Sequence, residues 1–129
     1  MPTTDFKVHD GLLTVQQMTD DAQTRVALQG EMDLSNHGIA ETVLREALTT
    51  GREVVVDLGK LEFIDSTGLA MLVRAMAEAA DDRLGFLPPE QRSVRRLLSL
   101  TGLEERMRFV SVTEVTPDAI GDESLLQAS

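Results

Sequence analysis

Residues 54–76, VVVDLGKLEFIDSTGLAMLVRAM, hold the side chains with the clearest chemical use. Asp65, Ser66, Thr67 and Gly68 stand where a β-branched run gives way, through a tight turn, to a helical pattern. The first backbone N–H groups of a helix have no internal partners, and the macrodipole favours negative charge there. A phosphate on Ser66 would be cradled by those groups. It would add roughly 1.5 to 2 negative charges at neutral pH. The plainer role for a hydroxyl at this place is a cap, worth about 1 kcal/mol. Yet Asp65, Ser66 and Thr67 are three capping residues crowding one position that needs one.

Other chemistries lack their parts. A nucleophile elbow, G-x-S-x-G, needs glycine where Ile64 stands. The histidines are His9, in a polar leading segment, and His37, beside a helix start; both read as surface residues. No G-x-G-x-x-G or Walker loop occurs, so intrinsic nucleotide chemistry has no support. Asp20–Asp21 and Asp81–Asp82 read as turns without the ligand spacing of a calcium loop. No metal ligands or cofactor are expected. Arg92, Arg95 and Arg96 read as a solvated helix face.

The elements that must position Ser66 follow from periodicity. Residues 1–10 are polar and read as a lead-in. Residues 11–16 form a strand with Leu13 and Val15 on one face, and residues 19–23 are a polar turn. Residues 25–30 alternate as a second strand, giving an antiparallel hairpin. Ser35 or Asn36 would cap a helix whose stripe is Ile39, Val43, Leu44, Ala47 and Leu48, stopped by Gly51. Residues 53–58 form a central buried strand. After Ser66, Leu69, Leu72, Val73 and Met76 follow the helical template. Residues 83–87 are a short strand interrupted by Gly85, and Pro89 suits the first turn of the next helix. That helix carries Val94, Leu97 and Leu98 and stops at Gly102. Residues 107–112 form a last strand, and Thr116–Pro117 opens a weak terminal helix. Strands alternating with helices imply a mixed, largely parallel sheet. The reading is a single α/β domain over residues 11–116, with four to five strands, helices mainly on one face, and a tail over 117–129.

Composition bounds the partners. A chain of 129 residues fits one domain with one core. Aromatics are only 3% and the net charge is -10, so stacking platforms and phosphate backbones are both disfavoured. Anionic membrane surfaces are disfavoured too, and no apolar run approaches a membrane span. The start of the chain lacks a signal-peptide pattern. The absence of Cys fits a reducing cytoplasm.

The helix after Ser66 is apolar on nearly every side. If Leu69, Leu72, Val73 and Met76 face the sheet, Met71, Ala75 and Ala79 point elsewhere. Two readings follow. The strip is covered by a neighbouring helix, or Met71 and Ala75 belong to a docking face beside Ser66.

The segment FIDSTGLAML resembles the phosphorylation loop of STAS domains, the anti-sigma factor antagonists of bacteria. LQGEMDLSN, residues 28–36, looks like the family's second strand and acidic loop. LLSLTGLEERMRF, residues 97–109, is similar to its third helix, glycine turn and last strand. The resemblance implies that Ser66 is phosphorylated by an ATP-dependent anti-sigma factor kinase. It implies that Asp65 is the acidic neighbour and Asp33 the loop acid beside the site. Unphosphorylated protein would hold the anti-sigma factor and free the sigma factor; a serine phosphatase would restore that state. The interface expected on this basis comprises Asp33, Asp65, Thr67, Gly68, Met71 and Ala75, and it leaves room for weak homodimerisation. The protein would be a cytoplasmic regulator and not an enzyme. Two alternatives stand beside it. One is a STAS module never phosphorylated, acting as a structural or transporter-associated subunit. The other is a carrier of a small ligand or nucleotide at the 65–68 turn.

Overall fold

The computed structural model describes residues 5–79 and 83–111. Strand β1 (Phe6–Asp10) turns at Gly11 into β2 (Leu13–Thr19), which pairs antiparallel with β3 (Gln23–Met32). The β2–β3 turn is held by Asp20, whose Oδ1 accepts from the Ala22 and Gln23 N–H groups. Helix α1 (His37–Leu48) leads to β4 (Glu53–Asp57), then β5 (Leu61–Ile64), α2 (Ser66–Glu78), β6 (Leu84–Leu87) and α3 (Arg92–Leu100). The sheet runs β1-β2-β3-β4-β6, with β5 attached to β3. The β3–β4, β3–β5 and β4–β6 pairings are parallel.

β3 is the longest strand and serves two neighbours. Its first half pairs with β4, and its last residues, from Gly30, pair with β5. The register breaks between Gly30 and Glu31. Gly30 has φ +99°, and a Cβ there would lie 2.0 Å from the Leu12 carbonyl oxygen. Only glycine fits both conditions. This bulge turns the end of β3 toward β5 and hence toward the start of α2.

One core lies between the sheet and the three helices. Leu13, Val15, Val26, Leu28, Val54 and Val56 meet Leu44, Leu72, Val94 and Leu98 there. The opposite face carries a small cluster of Val55, Leu87 and Val110. The helices therefore pack on one face, as the sequence pattern implies.

The sheet has six strands where four to five were expected. The lead-in hides β1, whose Phe6 and Val8 pack on the core edge. β5 is only four residues long and escaped the periodicity argument. Of the strand expected over 107–112, the described residues, to 111, form only an isolated bridge, Phe109 to Phe86, held by Phe86 N–H to Arg108 O and Val110 N–H to Phe86 O, each 2.9 Å. Gly85 does not interrupt β6. It clears space for this bridge, since a Cβ would lie 2.9 Å from Val110 Cγ1. Pro89 precedes α3 instead of opening it; the helix starts after Gln91. The Asp81–Asp82 turn, the terminal helix and the 117–129 tail lie outside the described residues.

Candidate functional site

The site forms where β5 ends and α2 begins. Asp65 is extended (φ −104°, ψ −174°) and caps α2. Its Oδ1 accepts from the Thr67 N–H at 3.0 Å, the Thr67 hydroxyl at 2.6 Å and the Gly68 N–H at 3.1 Å. Its Oδ2 accepts from the Leu34 N–H at 3.2 Å. Its own N–H donates to the Met32 carbonyl at 3.2 Å. Hydrogen bonding to the ionised form, the Thr67 hydroxyl foremost, holds the Asp65 carboxyl below the usual carboxylate range. The crowding of three capping residues is thereby resolved. Asp65 caps, Thr67 completes the cap, and the Ser66 side chain stays exposed to solvent.

The neighbouring loop, residues 33–36, is internally braced. Asp33 Oδ1 accepts from the Ser35 N–H at 3.0 Å and the Ser35 hydroxyl at 2.7 Å. Asn36 Oδ1 accepts from the Asp33 N–H, and its Nδ2 donates to the Glu31 carbonyl, each at 2.9 Å. Asn36 is buried and makes no side-chain cap to α1. The expected Ser35 or Asn36 cap is thus corrected. Both side chains turn back to hold the loop that presents Asp33.

Three residues expected at a docking face are not available for one. Gly68 is buried, and a Cβ on it would lie 2.7 Å from Ile64 Cγ1 and 3.2 Å from Met32 Cε. Met71 is fully buried and Ala75 nearly so. Met71 and Ala75 line the α1–α2 seam with Leu44 and Leu48. Of the two readings for the apolar strip, the covered one holds, because α1 crosses that side of α2. Asp33, Asp65 and Thr67 are half-buried, and Ser66 is exposed.

Sequence reasoning missed Leu34 and Phe63. Leu34 is 73% exposed in the Asp33 loop, and Phe63 is 47% exposed on β5. A large apolar residue between Asp33 and Ser35, with no helical or strand period to absorb it, was the available signal. Neither histidine engages Ser66. His9 Nδ1 pairs with Thr14 Oγ1 at 3.0 Å, and His37 Nδ1 lies 3.9 Å from Glu41. Among the described residues no group of three or more His, Asp or Glu is placed to hold a metal. A cleft of about 420 Å³ is lined by Gln29, Gly59, Lys60 and Glu90 among others, and residues 65–68 take no part in it.

The family model described as "Mlab, STAS domain" matches residues 15–113. The chain belongs to the STAS family. An anti-sigma-B factor antagonist of Staphylococcus aureus is 30% identical over 105 residues, covering 80% of this chain and 97% of the relative. Two solved structures share the STAS fold at 22% identity. An anti-sigma factor antagonist from Mycobacterium paratuberculosis aligns with TM-score 0.72 over 85% of this chain and 95% of its own. The Bacillus cell fate determinant SpoIIAA, in its phosphorylated form, aligns with TM-score 0.59 over 81% and 98%. The mixed sheet with helices on one face is thus a STAS architecture. Among the described residues no helix is long and apolar enough to cross a membrane.

Proposed function

We propose that this STAS domain is an anti-sigma factor antagonist whose docking is switched by phosphorylation of Ser66. The observation that carries the reading is exposed Ser66, left out of the Asp65 cap at the start of α2, on a turn to which the Asp33 loop is fastened through Leu34. The named relatives support an anti-sigma factor as the partner; that this partner also acts as the serine kinase is part of the proposal. A serine phosphatase would close the cycle. Such a cycle belongs in the cytoplasm, where sigma factors work. The kinase supplies ATP and the catalytic base; this domain supplies the hydroxyl.

The docking surface comprises Asp33, Leu34, Asp65, Ser66 and Thr67, with Phe63 on the adjoining strand. Leu34 and Phe63 offer apolar anchors, and the acids select a basic partner rim. The ion pairs among the described residues lie elsewhere, at Arg25–Asp57, around Glu41 and Glu78, and at Arg108–Glu53. No basic side chain of the described chain pairs with Asp33 or Asp65. A phosphate on Ser66 would find the Thr67 and Gly68 N–H groups held by Asp65 Oδ1 and the Leu69 N–H held by the Asp65 carbonyl, and would carry its charge into an interface beside the Asp65 carboxylate. Uncompensated charge there costs several kcal/mol, and each 1.4 kcal/mol is about tenfold in affinity.

The test is affinity for the anti-sigma factor measured with wild type, Ser66→Ala and Ser66→Asp. Retained binding by Ser66→Ala and at least tenfold loss by Ser66→Asp are expected. Equal affinity for all three would overturn the reading, and a chain that is never phosphorylated in its own cells would favour the unmodified STAS module.

A further inference from the structure

Asp65 does more than end a strand. Its Oδ1 holds the Thr67 hydroxyl at 2.6 Å while Ser66, one residue earlier, projects into solvent. Two hydroxyls thus stand side by side with opposite fates. We infer that Asp65 is a positioning residue that withdraws the Thr67 hydroxyl and leaves Ser66 as the sole phosphoacceptor. This inference rests on the proposed phosphorylation of Ser66 and concerns which oxygen receives the group.

The step itself constrains the choice. The γ-phosphorus of ATP forms a bond to the acceptor oxygen, its bond to the bridging oxygen breaks, and ADP leaves. The acceptor proton passes to a base on the kinase. The acceptor must therefore turn both its oxygen and its proton toward the incoming enzyme. Thr67 cannot do so while its proton is given to Asp65 and its side chain is folded back over the cap. Bonds to ionised acceptors are short and strong, which suits the 2.6 Å distance. The same oxygen also takes the Thr67 and Gly68 N–H groups, so the carboxylate that holds the Thr67 hydroxyl is itself fixed in place. Gly68 is buried, and a Cβ on it would lie 2.7 Å from Ile64 Cγ1, so the turn sits close against Ile64. Ser66 is not among the donors to Asp65.

The experiment maps phosphate by tandem mass spectrometry on tagged chains purified from the native cells. The chains are wild type, Ser66→Ala, and Ser66→Ala combined with Asp65→Ala. Wild type should carry phosphate on Ser66 alone and Ser66→Ala none, while the double variant should gain it on Thr67. A merely structural role for Asp65 would lower all phosphorylation and would not move it to a new residue. Phosphate on Thr67 of Ser66→Ala, with Asp65 intact, would overturn the inference; so would its absence from a double variant that melts as a folded chain and still binds the anti-sigma factor. A kinase-free readout covers the remaining case. Three-bond couplings to the Thr67 methyl should report one rotamer in wild type and averaging in Asp65→Ala. An averaged wild-type Thr67 refutes the inference. Wild type bearing no phosphate refutes the proposed function instead, and the couplings still decide the role of Asp65.

Discussion

Leu34 and Asp65, 31 residues apart, are joined by a hydrogen bond of 3.2 Å from the Leu34 N–H to Asp65 Oδ2. The bond fastens the Asp33 loop to the start of α2. It ties the loop that carries exposed Leu34 to the turn that carries exposed Ser66. The arrangement separates residues that hold the site from residues that a partner can touch.

Leu34 should be dispensable for folding and needed for docking. Leu34→Ala keeps the N–H that Asp65 accepts, and the side chain it removes is solvent-exposed. Stability should change by less than about 0.5 kcal/mol, while affinity for the anti-sigma factor should fall about tenfold or more. Titration calorimetry beside urea denaturation checks both halves. Undiminished affinity would remove Leu34 from the interface.

Met71 should behave in the opposite way. It fills the α1–α2 seam and has no exposed surface. Met71→Ala should cost about 2–5 kcal/mol in urea unfolding. Binding per folded molecule should stay at the wild-type level. A stable Met71→Ala chain with weakened docking would return Met71 to the partner surface.

The glycines at positions 30 and 68 should be intolerant to different degrees. An alanine at 68 meets side-chain atoms, Ile64 Cγ1 and Cδ1 and the Met32 methyl, so about 1–3 kcal/mol is expected. An alanine at 30 meets the Leu12 carbonyl and must also adopt a positive φ. Its cost should be larger, about 2–4 kcal/mol, because backbone cannot yield as a side chain does. Chemical denaturation of both variants ranks them; the reverse order would mean that the β3 bulge relaxes.

Acid should loosen the α1–α2 pairing. Glu41 accepts from Arg74 Nε and Nη2, each at 2.8 Å. The Arg74 hydrogen bond first, against partial burial, and then the charges of Arg74 and Arg45 pull the Glu41 carboxyl below its ordinary range. A depressed folded value means that the unfolded chain binds the proton more readily. The contribution is therefore present above the unfolded value and lost as pH falls through the lower folded one. Melting temperatures of wild type and Glu41→Gln should differ most near neutrality and converge once the pH is below both the unfolded and the folded value. A gap that persists undiminished there contradicts the linkage.

Much of the fold was legible because periodicity reports which residues are apolar along one element. The β2–β3 hairpin, the buried β4, all three helices and the stops at Gly51 and Gly102 followed from such patterns. β1 and β5 did not, being short strands that depend on their pairing partners for existence. Ser35 and Asn36 looked like caps by type, but their side-chain bonds run back into the loop, to Asp33 and Glu31.

The sequence by itself determined that a hydroxyl-rich turn opens an apolar helix, and that this turn has STAS character. Tertiary structure alone decided which hydroxyl is free, which apolar residues are covered, and which stand exposed. The reason is that covering and capping are contacts between segments distant in the chain. Met71 is buried only because α1 crosses α2, and the Asp33 loop is fastened only because Asp65 reaches the Leu34 N–H. Local residue order carries no period for either contact.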